Sequence, residues 1–335
     1  MDKLVSVIMP AYNSALFIEE AIQSIIDQTY PFWELLIMDD CSSDNTAAVV
    51  EAILKRDQRI KLFKSEKNTG IAKQMNKALV ECRGEYICRM DSDDISHPDR
   101  IREQLRLLEE SKDIAVCMTG YRLFTQKDQL NAPVKEKDIS SEEIKVEMMK
   151  DLPVCGASFF ARREVMTNYF FDEGLKIAED YDLFSRMILV NKISNISKIL
   201  YYYRKHGNSI TDDPASWKAV RIDLIRKRYL ENTGVIIDEE QSAFLLDFIS
   251  ARAKHRVDRA FFSRVRHLKS GLSESKYYNK NATSIFFRDR MREYLLVTKN
   301  YARFSGFYLL RDYPSFFVKY SFIDSLKIIL RSVNG

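Results

Sequence analysis

Three carboxylates stand within four positions at Asp91-Ser92-Asp93-Asp94, directly after an apolar stretch that ends at Met90. Like charges this close repel one another unless a cation compensates them. Carboxylate oxygens are the ligands that Mg²⁺ and Mn²⁺ prefer, and either ion can bridge the oxygens of a diphosphate. The same residue types are common in loops that cap a helix, here one that starts near His97. The run alone leaves a metal site and a structural cap both open.

Polar residues follow two further apolar runs. Asp39 and Asp40 come after Leu35 to Met38, and Pro10-Ala11-Tyr12-Asn13 comes after Leu4 to Met9. A carboxylate can accept a hydrogen bond from the imide N–H of uracil, and a tyrosine ring offers a flat face to a base. Helix capping and turn formation would use the same residue types. Position favours a binding site, because the carboxyl ends of parallel strands meet at one edge of a sheet, where ligands bind.

The elements that must position these residues alternate between strand and helix. We predict strands over residues 4–9, 35–38, 60–63 and 86–90, and helices over residues 15–28, 42–56 and 70–80. Alternation of this kind predicts a Rossmann-like, mostly parallel sheet with helices on both faces. Residues 114–210 read as mixed, with strands over 114–118 and 157–161 and an acidic helix start at Glu179. From Trp217 onward the pattern is helical.

Composition excludes several classes of protein. The 335 residues include five cysteines without Cys-x-x-Cys spacing, and their odd number argues against a disulfide framework or a structural zinc site. No secretory signal opens the sequence, and no stretch reaches the ~18 apolar residues that span a bilayer. We therefore expect a cytoplasmic protein, with contact at the inner face of the cell membrane left open.

The ordered set of motifs resembles glycosyltransferase family 2. The resemblance is carried by Val5 to Asn13, Asp39 to Asp44, Asn68-Thr69-Gly70, Asn76, Gly84-Glu85-Tyr86, Asp91 to Asp94 and His97 to Arg100, and it extends to about residue 210. It implies a GT-A fold over residues 1–212, made of a nucleotide-sugar-binding half (1–113) and an acceptor-side half (114–212). A helical extension would follow over residues 213–335. It also implies a nucleotide-sugar donor, most often a UDP-sugar, and inversion at the anomeric carbon.

The resemblance assigns roles position by position. Asp180 matches the family's base, which deprotonates the acceptor hydroxyl; a first-turn carboxylate that serves only the helix dipole is the alternative, and it describes Glu179 well. Asp93 is the principal Mn²⁺ or Mg²⁺ ligand, with Asp91 in support, His206 as a further candidate, and Asp94 as a structural cap. The implied nucleotide-sugar-binding residues are Pro10, Ala11, Tyr12, Asn13, Asp39, Asp40, Gly70, Lys73, Asp91 and Ser92. Cys155 stands where many relatives have a histidine, and we read it as a buried thiol.

The resemblance implies a metal-dependent transfer of one sugar to a saccharide or polyprenyl-diphosphate-linked saccharide, as in synthesis of bacterial capsule or O-antigen. The processive Gln-x-x-Arg-Trp signature is missing. Two alternatives stay open. A sugar-phosphate nucleotidyltransferase would need a Gly-rich phosphate loop, which Pro10 to Asn13 does not provide. A non-catalytic nucleotide-binding scaffold would leave Asp180 dispensable.

The carboxyl-terminal part is basic. Residues 217–335 carry 23 Lys and Arg against 12 Asp and Glu, interleaved with the pairs Phe261-Phe262, Phe286-Phe287 and Phe316-Phe317. Basic and aromatic residues together suit an anionic membrane surface. A helical bundle with its Phe side chains inside and a solvated basic face fits equally well. Nucleic-acid binding is not expected, because no nucleic-acid-binding module is recognisable.

Overall fold

The computed structural model of the protein describes residues 3–125, 139–206, 216–233, 239–252 and 254–298. The strands are β1 (Val5–Ala11), β2 (Trp33–Asp39), β3 (Ile60–Lys64), β4 (Tyr86–Arg89), β5 (Ile95–Ser96), β6 (Ile114–Phe124), β7 (Phe160–Arg162) and β8 (Lys192–Arg204). The helices are α1 (Ile18–Ile26), α2 (Thr46–Leu54), α3 (Ile71–Glu81), α4 (Arg100–Glu110), α5 (Ser141–Glu147), α6 (Arg163–Met166), α7 (Glu179–Met187), α8 (Ser216–Asn232), α9 (Glu239–Ile249), α10 (Arg259–Glu274) and α11 (Lys280–Val297).

Within the described residues, eight strands form one mixed sheet in the order β3-β2-β1-β4-β7-β6-β8-β5. The first four strands are parallel, as are β6 and β8, whereas β7 and β5 run antiparallel to their neighbours. The predicted α/β sheet is confirmed as mostly parallel. Its parallel half brings the ends of β1, β2 and β4 to one edge.

Both faces of the parallel half are covered. Val5, Val7 and Met9 pack in one cluster with α1, whereas Ile8 alternates to the opposite face and is equally inaccessible to water. Helix α3 contacts β1 and β2. Strands buried on both faces read as continuous apolar runs, which is why their sequences are so easily recognised.

Several predicted bounds are wrong in detail. β1 continues through Pro10 and Ala11, which pair with Met38 and Asp39, instead of ending at Pro10. The strand predicted over 157–161 is a short 3-10 helix (Gly156–Ser158) followed by β7. The chain turns there because both the backbone N–H and the hydroxyl of Ser158 donate to the Cys155 carbonyl. The short β5 and the long β8 were not predicted as strands.

The chain divides into two compact units, Met1–Ile144 with Leu152–Arg221 and Lys145–Asp151 with Ile222–Gly335. In the second unit, helices α9, α10 and α11 surround an aromatic core in which Phe261, Phe262, Phe286 and Phe287 are at most 2% exposed. The described phenylalanine pairs therefore follow the inward-packing alternative. Phe316-Phe317 and the rest of residues 299–335 lie outside the described residues. Among the described helices, none is long and apolar enough to cross a membrane.

Candidate active site

The Asp91 to Asp94 turn is anchored from β8. The Asp94 carboxylate is buried and accepts from the Tyr201 hydroxyl (2.7 Å) and the Arg204 backbone N–H (2.8 Å). The Arg204 guanidinium donates to the Asp93 carbonyl at 2.7 Å and lies between the rings of Phe17 and Phe124. Asp94 is thus structural, as expected, but it ties the turn to β8 rather than capping α4, whose N-cap is Asp99.

Asp93 and His206 meet at the open side of this turn. The His206 Nε2 lies 2.9 Å from Asp93 Oδ2, and the imidazole packs on the Phe17 ring with 4.7 Å between centroids. Burial and the charge of Asp91 raise the pKa of the Asp93 carboxyl, against the opposing effect of His206. Burial and the charges of Asp93 and Asp91 likewise raise the pKa of Asp94 well above its usual range. Burial and the crowding of three carboxylates therefore both disfavour the charged forms of Asp93 and Asp94.

Asp91 is held by a buried arginine. The Arg89 side chain, 5% exposed, donates from Nε to Asp91 Oδ1 at 2.7 Å and from Nη2 to Oδ2 at 3.2 Å. Its third nitrogen, Nη1, lies 3.1 Å from Oε1 of Glu179 at the start of α7. Burial opposes the charge on Arg89, but the carboxylates of Asp91, Glu179 and Asp180 raise its pKa well above the usual value. One guanidinium therefore links the aspartate turn to the helix that carries Asp180.

Asp180 lies against a glycine. A Cβ atom built on Gly156 would come within 2.0 Å of Asp180 Oδ2, so the carboxylate occupies the space that any other residue would fill. Asp180 Oδ1 accepts from the Tyr181 backbone N–H at 2.7 Å, and the side chain is half-buried. The neighbouring Glu179 is buried, and burial raises its pKa to about 7, with Arg89 lowering it and Asp180 adding to the rise.

The loop after β1 joins the loops after β2 and β4. Asn13, in a left-handed conformation (φ 50°), accepts from the Ser43 backbone N–H at 2.8 Å and donates its own N–H to the Ser42 hydroxyl at 2.9 Å. The Ser14 and Ser92 hydroxyls lie 2.7 Å apart. Tyr12 is 52% exposed, which leaves its ring open to solvent at this edge. Asn13 and Ser92 therefore hold loops together, whereas Pro10 and Ala11 are buried in β1.

Asp40 organises the start of α3. Its buried carboxylate accepts from the backbone N–H groups of Thr69 (2.8 Å) and Gly70 (2.7 Å) and from the Gln74 amide (2.5 Å). Gly70 has φ 89°, a conformation that favours glycine, which explains the Asn-x-Gly turn. The buried Asp39 accepts from the Ser42 N–H at 3.3 Å. The protein's own donors thus fix the Asp40 carboxylate in place.

The structure also shows the contacts of two other residues singled out in the sequence, Lys73 and Cys155. The Lys73 ammonium lies 3.9 Å from the Glu173 carboxylate, and both side chains are more than two-fifths exposed. Cys155 is a buried free thiol, as predicted, and burial raises its pKa to about 12. The nearby charges of Asp94, Asp91 and Asp180 add to that rise, so Cys155 lies among the site carboxylates without the character of a thiolate nucleophile.

Arg89, Gly156 and Arg204 are site residues that the sequence analysis missed. Arg89 carries a usable signal, because a charge at the end of a buried strand requires a carboxylate partner. Gly156 carries none, since a glycine in a mixed segment does not reveal which side chain needs its space. Arg204 acts through contacts with Asp93 and Asp94 more than 100 positions away, which no local pattern encodes.

The residues at the turn suit a divalent cation in part. Asp93 and His206 lie in contact and offer oxygen and imidazole atoms, whereas Asp91 is engaged by Arg89. Within the residues described, no group of three potential ligands is close enough to hold an ion. An ion that binds substrate phosphates is usually held by only one or two protein carboxylates, and the phosphates and water complete its coordination shell. The repulsion between the neighbouring carboxylates of this turn is the feature that a bound cation would relieve.

The mixed α/β sheet with its helices and helical carboxyl-terminal region has the GT-A architecture. The structure of Staphylococcus aureus TarS 1-349, solved in complex with UDP-GlcNAc, superposes with a TM-score of 0.55 at 17% identity, covering 98% of this chain and 81% of that one. At that identity the likeness establishes the fold.

The chain belongs to glycosyltransferase family 2: the profile described as Glycosyl transferase family 2 matches residues 6–170. The putative glycosyltransferase EpsE of Bacillus subtilis is 30% identical over 210 residues, covering 61% of this chain and 74% of EpsE. The putative teichuronic acid biosynthesis glycosyltransferase TuaG of the same organism is 42% identical over 123 residues, covering 37% of this chain. The chain spans about half of TuaG, 48% of its length.

Proposed function

We propose that the protein transfers a single sugar, with inversion, from a nucleotide diphosphate sugar to a hydroxyl of a saccharide or polyprenyl-diphosphate-linked saccharide. The observation that carries the proposal is the bridge through Arg89, which joins Asp91 at the end of β4 to the helix turn that bears Asp180. A direct displacement needs residues that bind the donor's diphosphate and a base that deprotonates the acceptor, and these two parts of the site must lie close together. The names of relatives such as TuaG support a role in bacterial surface polysaccharide synthesis.

The donor end follows from the loops after β1, β2 and β4. The exposed ring of Tyr12 would stack on the base, and Asp40, fixed by the Thr69 and Gly70 amides, would accept from the uracil imide of a UDP-sugar. Asp39, Gly70, Pro10 and Ala11 would line the same donor site. Lys73 would reach a phosphate by exchanging its long contact to Glu173 for one to the donor.

Asp93 and His206, with Asp91 in support, would hold Mn²⁺ or Mg²⁺. When bound, the ion neutralises the charge that develops on the leaving diphosphate. Asp180 would take the proton of the acceptor hydroxyl as its oxygen forms a bond to the anomeric carbon. The bond from that carbon to the diphosphate oxygen breaks on the opposite face, which inverts the configuration. Arg89 would hold the side chains of Asp91 and Glu179 in place during this step.

A panel of nucleotide sugars tests the proposal without knowledge of the acceptor. Each UDP-, GDP- and dTDP-sugar is incubated with the protein and Mn²⁺, and release of the nucleoside diphosphate is measured with and without EDTA. Slow, metal-dependent hydrolysis of one donor, with a UDP-sugar expected, supports the transferase. Nucleotide binding without hydrolysis of any donor would favour the scaffold, and release of pyrophosphate from a sugar phosphate and UTP would favour the nucleotidyltransferase.

Replacing Asp93 with Ala should uncouple nucleotide binding from the metal. Changes to residues that only support metal ligands lower metal affinity by about 10- to 100-fold, so loss of a direct ligand should cost no less. We expect Mn²⁺ to strengthen UDP binding to the wild-type protein and to have little effect on the variant, as measured by calorimetry. Asp113→Ala, at an exposed aspartate on the surface, is the matched control. An unchanged Mn²⁺ dependence in Asp93→Ala removes Asp93 from the metal site.

Contact with an anionic membrane stays part of the proposal, in an altered form. The described phenylalanine pairs are buried, so we propose that exposed basic side chains of the described residues, such as Lys227 and Arg259, make the contact with lipid. Each would contribute about 1 kcal/mol near an anionic surface. We expect co-sedimentation with anionic vesicles at low salt, release at high salt, and no binding to neutral vesicles. Absence of binding at low salt would contradict membrane contact, and salt-resistant binding would indicate insertion of apolar groups.

A further inference from the structure

Arg89 stands out because it is a buried charge shared by two carboxylates from distant parts of the sequence. Asp91 lies two residues after Arg89 in the sequence. Glu179 lies 90 residues after Arg89 and is the first residue of α7. The guanidinium uses its Nε and Nη2 atoms as a fork on Asp91 and Nη1 on Glu179. A planar group with donors in fixed directions is suited to such a double contact.

The backbone of Arg89 is fixed independently of its side chain. Its N–H donates to the Phe159 carbonyl at 3.1 Å, and its carbonyl accepts from Nη2 of the fully buried Arg100 at 2.6 Å. Phe159 directly follows the 3-10 helix that contains Gly156, against which Asp180 packs. Arg89 therefore contacts both segments that frame Asp180: the turn before β7 through its backbone, and the start of α7 through its side chain.

Without this cation, the carboxylates of Asp91, Glu179 and Asp180 would face one another uncompensated. Buried carboxylates without a compensating cation repel one another, so the first turn of α7 would move away from Asp91. Asp91 is less dependent on the bridge, because it is anchored by the backbone of the aspartate turn, where its N–H donates to Tyr201 at 3.2 Å. Loss of the bridge should thus displace α7 more than the donor end.

We propose that Arg89 is a positioning residue that fixes the first turn of α7, and with it Asp180, against the donor end of the site. The proposal rests on the proposed function for its kinetic consequence, but its structural consequence is independent of any activity. It predicts a variant that binds nucleotide normally and turns over poorly.

Arg89→Lys tests the proposal, because lysine keeps the charge but reaches only one carboxylate as a point charge. We expect kcat for donor hydrolysis to fall by about 100-fold, the effect of a misplacement near 1 Å, with KM for the donor and affinity for UDP unchanged. Amide hydrogen exchange in peptides covering the start of α7 should become faster. Arg186→Lys is the matched control, since Arg186 forms an ion pair with Asp182 on the same helix and its other hydrogen bond goes to the Phe170 carbonyl.

Each other outcome overturns the inference. A rise in KM with kcat unchanged would make Arg89 a donor-binding residue, and unchanged kcat with unchanged exchange would make the bridge incidental. If wild-type protein hydrolyses no donor, the proposed function fails, and hydrogen exchange at α7 alone decides the positioning role. If Arg89→Lys does not fold, Glu179→Ala removes the acceptor of the Arg89 Nη1 contact from the other side and must give the same faster exchange and the same selective loss of kcat.

Discussion

Asp180→Asn should abolish sugar transfer while leaving nucleotide binding intact. The amide has nearly the shape of the carboxylate, so Asn can keep the contact with the Tyr181 N–H and the fit against Gly156. It cannot accept the proton of the acceptor hydroxyl, and loss of a general base typically lowers turnover by roughly 10²- to 10⁴-fold. We expect a loss of that size in kcat with an unaltered dissociation constant for UDP and Mn²⁺, measured by donor turnover and calorimetry.

Asp182→Asn is the control for this prediction, because Asp182 lies on the same helix turn but pairs with Arg186. It should retain turnover. If Asp180→Asn keeps wild-type turnover, Asp180 is not the base and the scaffold alternative gains support. Loss of nucleotide binding in the same variant would instead place Asp180 at the donor.

Gly156→Ala should lower turnover almost as much as Asp180→Asn, although it leaves every charged residue of the site unchanged. The new methyl group would overlap Asp180 Oδ2 at 2.0 Å and Cγ at 2.8 Å, so the carboxylate must rotate away. Because the overlap involves the end of a side chain, we expect little change in melting temperature. A displacement of about 1 Å at a catalytic group can cost 10²-fold in rate, and we expect a loss of that order in kcat.

Gly271→Ala provides the comparison, since a Cβ on Gly271 meets nothing within 4 Å. It should leave both turnover and melting temperature near the wild-type values. Full activity in Gly156→Ala would mean that the position of the Asp180 carboxylate does not limit the reaction. A large loss of stability would mean that the backbone, rather than Asp180, gives way.

The parts of the fold that the sequence predicts are those with local patterns. The continuous apolar runs of β1 and β2 identify buried strands, and the polar residues after them identify the edge that carries the site. The two-residue β5 has no such pattern, because only its pairing with Tyr201 and Tyr202 of β8 makes it a strand. The segment around Ser158 is apolar enough for a strand, yet hydrogen bonds to the Cys155 carbonyl turn it.

The residues of the candidate site likewise fall into those that the sequence reveals and those that only the structure reveals. Asp91, Asp93 and Asp40 are conspicuous from residue type and position, whereas their partners Arg89, Tyr201 and Gln74 are not. A residue that acts through its neighbours is recognisable only when the neighbours are known. Gly156 is the extreme case, because its contribution is the absence of a side chain next to Asp180.

The anomeric configuration of the first hydrolysis product tests the central claim most directly. In the absence of an acceptor, Asp180 would activate water against the anomeric carbon of an α-linked UDP-sugar, and the leaving diphosphate would depart from the opposite face. Time-resolved proton NMR resolves the two anomers before they equilibrate in solution. We predict that the β-anomer appears first and that Asp180→Asn abolishes its formation. Initial release of the α-anomer would contradict an inverting transferase with Asp180 as its base.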